Sequence, residues 1–149
     1  MTYEEIYSQF YSKIEDPTFF KKYSKDEAYD LMRGWLHSVI GDPYFKKCFS
    51  SIILDDELLE LTFQLKNSID ESSDNDFVKD IFAQGMVICW MQQKIDKVVN
   101  LATVIGTKEE KTILNNYRNN ITRLEEMKVQ FRKTIRDYGY LNNRYIGEE

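Results

Sequence analysis

A mainly α, single-domain bundle of about four or five helices is what this sequence predicts, and three observations predict it. Apolar residues recur at steps of three and four in several separate stretches. Three Ser/Thr-x-x-Glu pairs (Thr2 with Glu5, Ser24 with Glu27, Thr107 with Glu110) stand where such stretches begin, at the spacing of a capping box. Pro and Gly number only 2 and 6 in 149 residues, too few for a loop-rich or disordered chain. The length suits one domain built on one core.

The first helix is predicted over residues 2–15, with Tyr3, Ile6, Tyr7, Phe10 and Ile14 on one face and Asp16-Pro17 as its stop. After Phe19 and Phe20, a second helix enters at Ser24 and lines Ala28, Leu31, Met32, Trp35, Leu36 and Val39 along one side, ending at Gly41-Asp42-Pro43. Residues 44–49 allow a further helical turn. Ser51-Ile52-Ile53-Leu54 and Leu61-Thr62-Phe63-Gln64-Leu65 read either as the strands of a short β-hairpin or as parts of a helix entered at Asp55.

Between Asp55 and Asp80 stand nine acidic residues against two lysines, a larger negative balance than the −5 of the whole chain. Within that stretch Asp74 is the expected cap of a helix running from about Asn75 to about Ala102. Its centre is apolar nearly all round, the mark of a helix packed on several sides, and places Ile88, Cys89 and Trp90 in the core.

Gly106-Thr107 is the next break, and a long final helix follows. Leu114, Tyr117, Ile121, Leu124, Lys128, Phe131, Ile135 and Tyr138 form a heptad-like seam interrupted by Lys128, and such a seam requires a partner helix. Gly139 is the expected left-handed stop. The chain therefore divides into a helical body, residues 1–139, and an extended C-terminal tail, residues 140–149. Tyr140, Leu141, Tyr145 and Ile146 make that tail too apolar for a merely solvated end.

Little in the residues speaks for catalysis. His37, the single imidazole, lies in Trp35-Leu36-His37-Ser38 on an amphipathic helix and reads as a hydrogen-bonded boundary residue. Cys48 and Cys89 lack an electropositive setting and read as small hydrophobes. The acidic run lacks the ligand spacing and central Gly of a calcium loop. No catalytic, cofactor or metal site is expected. Arg118, Arg123, Lys128, Arg132, Lys133 and Arg136 give the last helix a basic cast, but Glu125, Glu126 and Asp137 interleave with them and weigh against direct DNA readout. The opening residues do not form a secretory signal and the longest apolar run is short of a bilayer span, so synthesis in the cytoplasm and no membrane partner are expected.

Four segments carry a resemblance: Met1-Thr2-Tyr3-Glu4-Glu5-Ile6-Tyr7, Phe49-Ser50-Ser51-Ile52-Ile53-Leu54-Asp55-Asp56-Glu57, Gly85-Met86-Val87-Ile88-Cys89-Trp90, and Arg136-Asp137-Tyr138-Gly139-Tyr140-Leu141-Asn142-Asn143. Over the whole chain the sequence resembles the head-tail connector (adaptor) proteins of tailed phages and prophages of Gram-positive bacteria. The resemblance implies a non-catalytic virion protein of the neck, a helical bundle forming a twelve-subunit ring beneath the portal. Its partners would be the portal protein, neighbouring copies and the next neck or tail protein, with non-specific DNA contact in the channel. The interaction surface is expected at Arg132, Arg136, Tyr138, Tyr140, Leu141, Asn142, Arg144, Tyr145 and Ile146. Two alternatives stand beside it: another neck or tail-completion protein of the same assembly, and a small helical regulatory or DNA-binding protein.

Overall fold

The computed structural model describes residues 1–14, 18–105, 112, 115 and 118–141. Its elements, in chain order, are α1 (Tyr3–Ile14), α2 (Phe19–Lys22), α3 (Lys25–Ile40), α4 (Pro43–Lys46), β1 (Phe49–Asp55), β2 (Glu60–Leu65), α5 (Glu71–Ile105) and α6 (Arg118–Leu141). The chain is mainly α, with one small antiparallel hairpin. The expected helix stop at Asp16-Pro17 and the Thr107–Glu110 cap lie outside the described residues, as do Leu114 and Tyr117 of the seam.

Two of the three sequence-level caps are formed. Glu5 accepts from the Thr2 amide at 2.8 Å while Thr2 Oγ1 accepts from the Glu5 amide at 3.3 Å. Ser24 and Glu27 make the same reciprocal pair at the start of α3, satisfying donors that a helix start leaves open. Gly41 keeps a right-handed φ of −71°, so the stop after α3 is carried by Asp42, whose carboxylate accepts from the Tyr44 amide at 2.8 Å and turns the chain into α4.

α5 is the central element, and α1, α3 and α6 all pack on it. From α1 the face Tyr3, Ile6, Tyr7, Phe10 and Ile14 is buried, as its spacing predicts. Phe10, Phe19 and Trp35 meet edge to face or tilted at 5.6–6.2 Å, closing α1, α2 and α3 together. The Lys13 ammonium lies 2.8 Å from Asp80 and adds an ionic tie between α1 and α5. On the opposite side Phe45 sits among Phe49, Phe82 and Phe131, joining α4, β1, α5 and α6.

Gly85 lets α3 approach α5. A Cβ built there would lie 2.5 and 2.7 Å from the two methyl groups of Val39, a β-branched side chain that is stiff at χ1. Gly85→Ala is therefore expected to lower stability by ~1–3 kcal/mol through overpacking, despite alanine's better helix propensity. Urea denaturation checks this, and an unchanged or raised midpoint would show that α3 is not seated on Gly85.

The ambiguous stretch is a hairpin. Ile52 pairs with Phe63, Ile53 with Thr62, Leu54 with Leu61 and Asp55 with Glu60, with a register irregularity between Phe49 and Ser51. Alternation turns Leu61 and Leu65 into the core and leaves Ile53 outside. The chain start extends the sheet: the Leu61 amide donates to the Met1 carbonyl at 2.8 Å and the Tyr3 amide to the Leu59 carbonyl at 2.9 Å.

Two boundaries and one burial differ from the sequence reading. α5 starts a turn early because Asp70, not Asp74, is its cap: Asp70 Oδ1 accepts from the Ser73 amide at 2.7 Å and its carbonyl from the Asp74 amide at 2.9 Å. α6 does not stop at Gly139 but runs through it to Leu141, taking in two residues assigned to the tail. A helical glycine costs only ~1 kcal/mol, and the fastening of Tyr138 described below holds the last turn in place. Ile88, Cys89 and Trp90 are half-buried rather than core: α3 and α6 stand apart above Ile88 and Cys89, and Trp90 lines a separate hollow with Phe19, Tyr23 and Trp35.

The seam of α6 finds its partner in α5. Leu124, Phe131 and Ile135 are buried, Leu124 against Met91 and Ile95. Lys128, the residue that breaks the seam, donates from Nζ to Gln92 Oε1 at 3.4 Å, so its head has a polar place on the facing helix.

Candidate interaction surfaces

The expected site residues fall into three groups. Arg132 is exposed, its guanidinium 5.1 Å from the Tyr44 ring centroid. Arg136, one turn on and also exposed, lies 3.6 Å from Asp137. Tyr138 is fastened inside the chain: its ring stacks on Phe77 at 3.8 Å and 11°, and its hydroxyl donates to Asp74 Oδ1 at 2.5 Å. Tyr140 and Leu141 form the end of α6. Asn142, Arg144, Tyr145 and Ile146 lie outside the described residues. Arg132 and Arg136 thus share one open face, while Tyr138 anchors the helix that bears it.

Asp74 is 7 % exposed and is the buried acid among the described residues. Besides Tyr138 it accepts from the Ile69 amide at 3.0 Å and from the Ser68 hydroxyl. Burial alone would raise its pKa, but hydrogen bonds from Ser68, Tyr138 and Ile69 outweigh that and hold the carboxyl below the ordinary range. Sequence reasoning assigned this residue to a cap, because an Asp ahead of an apolar run looks the same in either role.

A second polar cluster closes the hairpin onto the helices. His37 Nε2 lies 2.8 and 3.0 Å from the two oxygens of Asp56, and Tyr3 donates to the same carboxylate at 2.6 Å. A carboxylate only accepts, so Nε2 carries the proton. The Tyr3 and His37 hydrogen bonds lower the Asp56 pKa, while burial and Asp56 raise that of the Tyr3 phenol. Chemically this clamp positions the hairpin. His37 is thus a hydrogen-bonded boundary residue, as its sequence setting predicts.

The hairpin tip projects beyond the clamp. Asp55 Oδ1 accepts from the Glu57 and Leu58 amides at 3.0 and 3.1 Å, and Leu59 takes a positive φ of 54°, a conformation unusual for a non-glycine residue. Leu58 is 68 % exposed, and Leu59 and Ile53 are also exposed. Much of the acidic stretch has work within the fold: Asp55 shapes the turn, Asp56 clamps it, Asp70 caps α5, Asp74 fastens α6 and Asp80 meets Lys13. Glu57 and Glu60 form no ion pair among the described residues.

Across α3 from the clamp lies a groove of about 490 Å³ between α3 and α6. Gly85, Ile88 and Cys89 make its floor, Val39 one wall, and Val129 and Arg132 the other. Sharing Ile88, Cys89 and Lys128, a second hollow of about 500 Å³ continues it along α5 beside Trp35. Burial pushes the Cys89 thiol up, which disfavours its reactive thiolate form. Val129 is 69 % exposed on the lip. Helical spacing along the sequence marks the seam that fills the space between α5 and α6 but carries no sign of the gap between α3 and α6.

Among the described residues no group of three or more His, Cys, Asp or Glu side chains is arranged to hold a metal ion, and no helix is long and apolar enough to cross a membrane. No family model, curated protein or solved structure matches the chain.

Proposed function

We propose that this chain is a non-catalytic structural protein of a tailed-phage virion, a head-tail connector that forms a ring between portal and tail. The observation that carries the reading is the outer face of α6. Arg118, Val129, Arg132 and Arg136 follow one another on one side of a helix whose opposite side is committed to α5, and each is exposed. An exposed helical face that mixes arginines with a bare valine suits a protein contact, in which Arg is enriched and lysine-rich solvating surfaces are not. Glu125, Glu126 and Asp137 on the same helix dilute its positive charge, which favours a protein partner over a phosphate backbone. The segment resemblance supplies the particular assembly, and α6 ends at Leu141, where the segment expected to engage the portal begins.

Mass photometry of the purified chain, alone and mixed with a candidate portal, tests this. The expected result is a portal complex bearing about twelve copies, the ring size that the resemblance implies. A persistent monomer with no portal affinity would overturn the reading. Were that monomer to bind duplex DNA with a steep salt dependence, it would belong to the regulatory class instead.

A further inference from the structure

We propose that the hairpin tip, centred on Leu58, docks into the groove between α3 and α6 of a second copy of this chain, with Glu57 and Glu60 facing Arg132. The inference deepens the assembly reading and rests on it, because it names the junction by which copies would join.

The tip is built to hold its leucines outward. Asp55 fixes the turn through two backbone amides, Asp56 ties it to His37 and Tyr3, and the Tyr3 amide holds the Leu59 carbonyl at 2.9 Å. A turn that needs a positive φ is most cheaply made with glycine, yet this one carries leucine, and the strain persists because the surrounding hydrogen bonds determine the backbone there. A rigid apolar knob loses little conformational freedom on binding.

The groove has the complementary character. Its floor and lip are apolar at Ile88, Val39 and Val129, and at about 490 Å³ it exceeds the bulk of two leucine side chains. Charge complements shape. Arg132 on the groove and Glu57 and Glu60 on the tip have no ion-pair partner among the described residues. Of the other charges there, Glu125 lies 3.6 Å from Lys128, and the Asp42 carboxylate accepts from the Tyr44 amide. Tip and groove are different surfaces of one chain, so the contact is heterologous and repeats from copy to copy, closing a ring where the rotation allows.

The test is light scattering over a range of concentrations on the wild type, Leu58→Asp, Val129→Asp and an equimolar mixture of the two variants. Both sites are exposed, so the fold is retained, which far-ultraviolet circular dichroism checks. The wild type is expected to self-associate and each variant to lose at least tenfold in association. The mixture is expected to form one-to-one pairs and nothing larger, because one intact tip meets one intact groove. A monomeric wild type, or association equal in all samples, overturns the junction. Adding the candidate portal separates the two readings: full complexes from both variants would discard the tip-to-groove contact and leave the connector reading standing, whereas no complex even from wild type would remove both.

Discussion

Phe45→Ala is expected to destabilise the fold by ~3–5 kcal/mol, the range for removing a buried aromatic ring. Phe45 has no exposed surface and its ring meets Phe49 and Phe82 at 5.0 Å and Phe131 at 6.4 Å between centroids. One truncation therefore empties the place where the hairpin, α5 and α6 converge, and those elements reach it from separate parts of the chain. Partial collapse is restricted, since three neighbouring rings would have to shift together. Urea denaturation followed by tryptophan fluorescence and by circular dichroism measures it. A loss below ~1 kcal/mol would mean that the aromatic junction is dispensable.

Asp74→Ala comes next, at ~2–3 kcal/mol near neutral pH, because hydrogen bonds to an ionised acceptor are worth ~1.5–3 kcal/mol and a donor left unpaired adds a penalty. The Ser68 hydroxyl and Ile69 amide lie in exposed residues and rehydrate, whereas the Tyr138 hydroxyl loses the acceptor that holds the end of α6. The variant also changes the pH dependence. A carboxyl whose pKa is depressed in the folded chain contributes stability above its unfolded value and loses it as pH falls through the folded value. Wild type should therefore weaken as pH drops below ~4, the ordinary carboxyl value, and the acid limb of Asp74→Ala should be flatter. Denaturation at neutral pH and near pH 3 compares the two; parallel pH curves would show that Asp74 contributes nothing ionic.

The longer helices were legible because each leaves a local mark, whereas α2, a single turn over Phe19–Lys22, was not read as a helix. Thr2–Glu5 and Ser24–Glu27 announce their starts within four residues, and the buried face of α1 is the one its spacing predicts. The hairpin was half legible: the alternation in residues 61–65 is clear, but the three consecutive apolar residues Ile52, Ile53 and Leu54 suit strand and helix alike. What the sequence hid depends on distance. Tyr3, His37 and Asp56 meet from three elements, Tyr138 meets Asp74 across 64 positions, and no local pattern marks either. Of the expected interface, Arg132 and Arg136 stand on an open face, but Tyr138 reads from sequence both as a seam member and as part of that set. Its place over Phe77 and its bond to Asp74 show the seam role. The groove escapes for a further reason: it is the absence of packing between α3 and α6, and periodicity records only what is packed.

Lys128 gives the α5–α6 pair a single alignment. Apolar seams of repeating leucine and aromatic residues can slide by a heptad at modest cost, and a polar side chain within the seam penalises the shifted states. Here Lys128 meets Gln92 near one end of the contact and Tyr138 meets Asp74 at the other. Sliding α6 by seven residues would carry the ammonium opposite Gly85 or Val99, neither of which offers an acceptor side chain, and would withdraw the hydroxyl from Asp74 in the same motion. The two polar contacts thus work as a vernier. They fix where Arg132 and Val129 stand along the molecule, and with them the position of any surface that α6 presents.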